Sequence, residues 1–482
     1  MLSLNRTQWS VLVAAWLGWG FDIFDGLLLN YVAPNAIPTL LGLTIGSAAA
    51  RAATVYWTGL LTSVLLVGWA IGGILFGKLC DRVGRSTTLL VTMVIYAIGT
   101  FSCAFAPNIG TLVLFRLIAS LGIGGEWAAG ASMVAEVVPE RSRVEAGALL
   151  YTSAPLGLFL ATGVNAVIAG GWLVDQPELS WRVVFLSGLL PAAVAFLVRL
   201  FLKEPERWQQ ASANQKPPRI RQLFTPALRR STLSGVLMAV VALLTWWSCN
   251  AFIPVVAAGL ACSAADPQTS LVSQATVEHW KTAITFSFNL GGLIGTLLTI
   301  PAAKLLGRRW MFALYFLCST LMLTLTFGGL VPVDLASWSW LYFGVGLSVF
   351  GVFGSFTFYL PELFPTRLRA TGSGFCYNVG RLITAIGPYV VGSVAAMKAN
   401  ALQGAFGVLF VIGFVPLLGI LALPLVIASL LWLSWQFLKM AGATGLVLYF
   451  PESKYQWKEA YNPQQIAFAG EGWKNFLLEF IK

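Results

Sequence analysis

The chain has 482 residues, of which 57% are hydrophobic and only 10% charged, with 19 tryptophans and a formal net charge of +11. A soluble domain carries about a quarter of its residues charged, so a soluble globule is excluded and the composition is that of an integral membrane protein. The positive excess falls mainly in the loops of one side, so it reads as membrane topology and not as a nucleic-acid signal.

A helix that crosses roughly 30 Å of hydrocarbon needs about 20 apolar residues. Such stretches are predicted at 9–31, 55–79, 86–106, 109–135, 144–170 and 181–202, and again at 231–259, 280–303, 309–330, 336–360, 370–396 and 403–426. The long polar stretch KEPERWQQASANQKPPRIRQLFTPALRR separates the two sets. The expected organisation is a six-helix bundle over 1–202, a linker over 203–230, a second six-helix bundle over 231–426 and an extension over 427–482. In the extension, apolar character continues to about Phe450. Either a thirteenth span or a helix lying along the surface fits, with Lys439 weakening the first and the amphipathic ending GEGWKNFLLEFIK suiting the second. The first apolar run is too long for a cleavable signal peptide, so it is expected to stay as the first helix.

Loop charge sets the orientation, because cytoplasmic loops retain Lys and Arg. Arg6, Lys78, Arg82, Arg85, Arg141, Arg143, the linker, Lys304, Arg308, Arg309, Arg367 and Arg369 share one side, while the other holds little beyond Arg51, Arg182, Lys281 and Lys398. The N-terminus and linker are therefore expected in the cytoplasm, with the protein in a plasma or bacterial inner membrane. Six scattered cysteines give neither a disulfide framework nor metal-ligand spacing.

Internal repetition supports two related halves. GKLCDRVGRS (77–86) after the second span is echoed by IPAAKLLGRRW (300–310) after the eighth, and AEVVPERSR (135–143) after the fourth by PELFPTRLR (361–369) after the tenth. GKLCDRVGRS resembles the loop signature of the major facilitator superfamily, G-x-L-x-D-R-x-G-R. The resemblance implies an all-α membrane fold of 12 transmembrane helices in two pseudosymmetric six-helix bundles. It also implies a cytoplasmic gate built from Gly77, Asp81, Arg82, Gly84 and Arg85, with Glu136, Arg141, Glu362 and Arg367 from the second motif. The alternative is that these charges only fix topology. Lys304 stands where the second copy would carry the counterpart of Asp81, so the cluster is expected to be asymmetric.

RLIASLGIGGEWAAG (116–130), YNVGRLITAIGP (377–388) and the first-span FDIFD resemble metabolite:proton symporters and the sialate and lactate permeases. The seventh span reads LTWWSCNAFIP, without the glutamine pair of sugar carriers, and the fifth reads YTSAPLGLFLATG, without the glycine–proline run of drug antiporters. The resemblance implies an organic-anion symporter.

Charge deep in a membrane costs several kcal/mol unless it faces a cavity or a partner. Asp22 and Asp25, at i and i+3, are expected on one helix face lining the central path. Arg116 is expected at similar depth, holding a carboxylate charged or releasing it to bind a proton. Glu126, in GGEW, reads equally as a second proton site and as a buried, hydrogen-bonded acid. Arg381 cannot shed its charge, and its planar fork suits a substrate carboxylate; an internal ion pair with Glu126 or an aspartate is the alternative. Asn378, Asn289, Trp247 and Asn250 are the remaining substrate-binding candidates, each with helix packing as its alternative. His279 reads as a rim residue.

The expected function is proton-coupled import of a small organic anion by alternating access, by a monomer embedded in lipid, with no cofactor, metal or nucleic acid. Two rivals are a proton-coupled carrier of a neutral or sugar-like solute and a sensor that binds solute without transport. A membrane enzyme is disfavoured because no nucleophile–base set or phosphate loop is present.

Overall fold

Asn5 and Gln8 exchange side-chain and backbone hydrogen bonds, a capping box that opens helix α1 (Arg6–Leu41). The helix runs ten residues past its predicted end, through Pro34 and Pro38, and stops at Gly42 in the left-handed region, φ 65°. Prolines are tolerated in membrane helices because neighbouring groups re-satisfy the freed carbonyls, here those of Asn30 and Pro34, four residues before each proline.

The computed structural model describes residues 4–421 apart from 84, 140–141, 190–192, 194–196, 198–219, 265–271, 366–367 and 399. Gly84, Arg141 and Arg367, the side chains at Gly77, Asp81, Arg82, Arg85, Glu126 and Glu136, and the extension over 427–482 lie outside the described residues.

Helices α2 (Ala48–Val83), α3 (Arg85–Cys103) and α4 (Ile109–Val137, capped by Asn108) follow. Helix α5 is built of two pieces, Arg143–Tyr151 and Ser153–Val167, and ends in a π turn, Ile168–Trp172. Helix α6 begins at Pro177–Ser187. In the second half, α7 has two pieces, Arg229–Asn250 and Ile253–Ala264, and continuous helices α8 (Gln274–Leu305), α9 (Gly307–Phe327) and α10 (Leu335–Glu362) follow it. Helix α11 is again two pieces, Arg369–Thr384 and Ile386–Ala396, and α12 comprises Ala401–Ile412 and Val415–Leu421. Among the described residues there is no strand, and nine helical spans are long and apolar enough to cross a membrane. Helices α5 and α11, which the internal repeat relates, are each interrupted, at Thr152 and at Ala385.

Lipid is as apolar as leucine, so helix association here depends on close packing of small residues. The halves meet along α2 and α11, where a Cβ on Gly59 would overlap the carbonyl of Pro388 and Gly392 lies against the carbonyls of Val55 and Tyr56. They meet also where α5 packs on α8 and α10. Large apolar side chains such as Ile74, Leu75, Ile98 and Leu317 are exposed on the outside of the helices, where lipid is their solvent.

The second-half copy of the repeat is seen directly. Gly307, at φ 75°, makes the tight turn from α8 into α9. That turn sets Arg308 against Glu362, 3.0 Å between nitrogen and oxygen, and 4.8 Å from the ring of Phe358. Lys304 pairs with Glu145 of α5, joining the halves at the end that carries the N-terminus. With Lys304 about half exposed, this bridge contributes at most about 1 kcal/mol.

Candidate functional site

Arg381 lies on α11 one turn before the helix breaks, and is 2% exposed. Its guanidinium carbon is 4.2 Å from the ring centre of Trp69 on α2 and 4.6 Å from that of Tyr377, one turn earlier on α11. The aromatic surround continues in both directions. Trp69 meets Trp247 edge-on at 5.7 Å, and Trp247 meets Trp246 at 4.7 Å. The Tyr377 hydroxyl contacts both Arg381 and Tyr151, and Tyr151 stacks on Phe353 at 5.9 Å and meets Trp19 at 5.0 Å. Helices α1, α2, α5, α7, α10 and α11 thus supply one connected set of rings, of which Trp69 and Tyr377 box the permanent cation. Cation–π contact of this kind is worth about 2 kcal/mol when desolvated and offsets part of the cost of burying the charge.

The glycine-rich stretch of α4 positions that box. A Cβ on Gly124 would overlap the carbonyl of Trp69, so the absence of a side chain there lets α2 seat against α4 with the Trp69 ring under Arg381.

Asp22 and Asp25 of α1 are both buried, at 1% and 2% exposure, but they serve different surroundings. Asp22 interacts electrostatically with Arg381 across the boundary between the halves. Asp25 turns into the first half. Its Oδ2 accepts a 2.6 Å hydrogen bond from Thr100 of α3, and its Oδ1 has no hydrogen-bond partner among the described residues. Residues at i and i+3 are about 60° apart around a helix, and with neighbours on every side that angle separates two environments. The two aspartates, one turn apart, thus have different charged neighbours, Arg381 for Asp22 and Arg116 for Asp25.

Arg116, fully buried, donates to the backbone carbonyls of Asp25 (3.3 Å) and Gly26, and lies 6.0 Å from the ring of Phe185. It thereby grips the middle of α1 while its charge stands near the Asp25 carboxylate. Arg116 and Asp25 are brought together; Asp22 and Arg381 are electrostatic neighbours, and Trp247 reaches that group through Trp69.

Asn289 of α8 donates to the Thr162 hydroxyl of α5 (3.0 Å), which in turn donates to the Tyr31 hydroxyl of α1 (3.1 Å). Asn250 is buried at 6% exposure near the end of the first piece of α7. Asn378 is half-buried and points at the α2 seam, where a Cβ on Gly73 would sit 3.1 Å from its Oδ1. His279 is exposed at its helix end. Among the described residues no group of His, Cys, Asp and Glu could hold a metal.

Sequence reasoning missed Trp69, Tyr377, Tyr151, Thr100, Tyr31 and Thr162. Aromatic and hydroxyl residues are too common in apolar spans to stand out; the glycines flanking Trp69 in GWAIGG were the one signal available. It also missed Glu278 and Lys281, which form a pair buried to 1% exposure each.

The sequence profile of the Major Facilitator Superfamily matches residues 13–388. The chain belongs to that superfamily. A "Probable 4-methylmuconolactone transporter" of Cupriavidus pinatubonensis is 31% identical over 87% of this chain and 90% of its own. A "Gentisate transporter" of Corynebacterium glutamicum is 27% identical over 80% and 81%. The crystal structure of a D-xylose-proton symporter aligns with a TM-score of 0.66 at 18% identity, covering 86% of this chain and 97% of that one, which speaks to the fold alone. This superfamily member is a multi-pass membrane transporter and not an enzyme, and among its relatives are transporters of organic acids.

Proposed function

We propose that the protein imports a small organic anion together with a proton by alternating access, with Arg381 as the anchor for the substrate carboxylate. The observation that carries this reading is a buried guanidinium in an aromatic box at the meeting of the two halves, with Asp22 as an electrostatic neighbour. Without substrate, Arg381 and Asp22 balance each other. A substrate carboxylate adds a second negative charge to a desolvated site, and buried charge without compensation is strongly unfavourable. A proton on Asp22 restores the balance, so anion and proton enter together. Arg116 and Asp25 control the same helix from behind: the guanidinium holds α1 at the carbonyls of Asp25 and Gly26, and a change of charge on Asp25 alters that grip. Glu126, on the same helix as Arg116, is a further proton-coupling candidate.

The aromatic lining suits a flat, unsaturated acid, and the relatives named for gentisate and 4-methylmuconolactone agree with that class. Asn289, Asn250 and Trp247 supply hydrogen bonds and ring contacts to the rest of the molecule; Asn378 contributes from the seam. The gate residues Gly77, Asp81, Arg82, Gly84, Arg85, Glu136, Arg141, Glu362 and Arg367 are assigned to the cytoplasmic end, with the N-terminus on that side and the protein monomeric in a cell membrane.

The test is uptake of labelled gentisate, lactate, sialate and xylose into proteoliposomes with and without an inward proton gradient. Gradient-driven accumulation of an acid, abolished by Arg381→Ala, is the expected result. Accumulation of xylose alone, unaffected by Arg381→Ala, would overturn the anion reading.

A further inference from the structure

At the opposite end of the helices from Lys304 and Glu145, α8 begins with QATVEHWK. Glu278 and Lys281 in this stretch are one helical turn apart and pair with each other, the Lys281 Nζ lying 2.9 Å from both carboxylate oxygens. Such an i, i+3 pair needs nothing from elsewhere in the fold. Its surroundings are what stand out, because among the described residues the other bonds to Glu278 are supplied by side-chain amides. Gln274 Nε2 donates to Oε1 at 3.0 Å, Asn35 Nδ2 of α1 donates to Oε1 at 3.3 Å, and Asn165 Nδ2 of α5 donates to Oε2 at 2.9 Å. Asn35 also accepts from Gln274 at 3.1 Å and reaches Ser180 of α6 at 3.4 Å. Gly170, in the π turn that ends α5, lies beside the Cβ of Glu278. Single π turns inside α-helices are frequent at functional positions.

A buried ion pair is a poor device for stability, since well-packed apolar residues do as well or better. It is a good device for a joint that must open. The pair lies within one helix, so it stays intact when the halves separate; the bonds from Asn35 and Asn165 to Glu278 and from Gln274 to Asn35 cross between them, and water can replace all three. An apolar plug of the same size would instead expose its surface to water at each opening.

We infer that Glu278 is the positioning residue of an outer gate: with Lys281 beside it, its carboxylate draws Asn35 and Asn165 of the first half onto α8 and holds the outer end closed. This rests on the alternating-access reading and on the orientation that puts this end outside.

The test reads opening directly. Thr285 lies one turn below Lys281, is 2% exposed and faces Thr162 of the first half at 3.4 Å. In a Cys262→Ser background, Thr285→Cys reports access from outside to a membrane-impermeant maleimide. Charge-assisted hydrogen bonds are stronger than neutral ones, so removing the charge or a crossing donor is expected to speed labelling about tenfold in Glu278→Gln and in Asn165→Ala, with Glu278→Asp intermediate. Net uptake by Glu278→Gln should show a lower external KM and a lower kcat, a split that loss of folded protein does not produce. Asn165→Ala leaves the ion pair intact, so it carries the test if Glu278→Gln fails to insert. Labelling within twofold of the parent in both variants overturns the gate. The labelling comparison needs no transported solute. Failure of every acid to be taken up by the parent would therefore defeat the anion reading alone.

Discussion

Arg381 shows how one residue is read at two depths. Its charge inside an apolar span was visible in YNVGRLITAIGP, and so was the choice between a substrate anchor and an internal pair; the aromatic surround was not, because its rings come from six helices. The box makes a specific prediction: Arg381→Lys keeps the charge but loses the planar fork and its fit over Trp69 and Tyr377. Binding of a transported acid, measured by isothermal calorimetry in detergent, should weaken about tenfold, a loss of about 1.4 kcal/mol. Asp25 belongs to the same scale. Thr100→Val removes the donor to a buried carboxylate oxygen and should cost about 1–3 kcal/mol of stability, read as a lower unfolding temperature in detergent. An unchanged temperature would mean that Asp25 takes its hydrogen bond elsewhere. The i, i+3 spacing of the aspartates could not reveal that they part company, because a sequence gives a helix face but not the partners arranged around it.

At the scale of helices, apolar length and loop charge made most of the fold legible, and the two repeated motifs made its duplication legible. The continuation of α1 through two prolines and the paired breaks in α5 and α11 were hidden, since they depend on what neighbouring helices do for freed backbone groups. Glycines mark the places where that packing is tightest. Gly124→Ala should disturb the seat of Trp69 and cost about 1–3 kcal/mol, as overpacking does, with substrate affinity falling alongside thermal stability. Gly307 is different in kind: its φ of 75° is unfavourable for a residue with a Cβ, so Gly307→Val should cost about 1–2 kcal/mol through the α8–α9 turn. A drop in unfolding temperature with unchanged substrate affinity would be the matching result.

Across the whole molecule, charge is spread very unevenly. At the end that carries the N-terminus, Arg308 with Glu362 and Lys304 with Glu145 are partly exposed pairs whose contribution is small. At the opposite end one fully buried pair is clasped by amides of both halves, and between them the buried Arg381 has Asp22 of the other half as an electrostatic neighbour. The outer pair escaped notice in the sequence because Glu278 and Lys281 sit at the start of a span, where charges ordinarily belong to a loop. In the account proposed above the two ends have different tasks: the end that carries the N-terminus makes a weak contact, the opposite one a closed joint, and the centre balances charge.

The central claim is that balance, and the most direct measurement is the number of protons taken up per anion bound. It can be made on detergent-solubilised protein by calorimetry in buffers of different ionisation enthalpy, using an acid shown to be transported. About one proton per anion in the wild type, and none in Asp22→Asn with binding retained, is the result the account predicts. Anion binding without proton uptake in the wild type, or uptake that survives Asp22→Asn and disappears in Asp25→Asn, would contradict it.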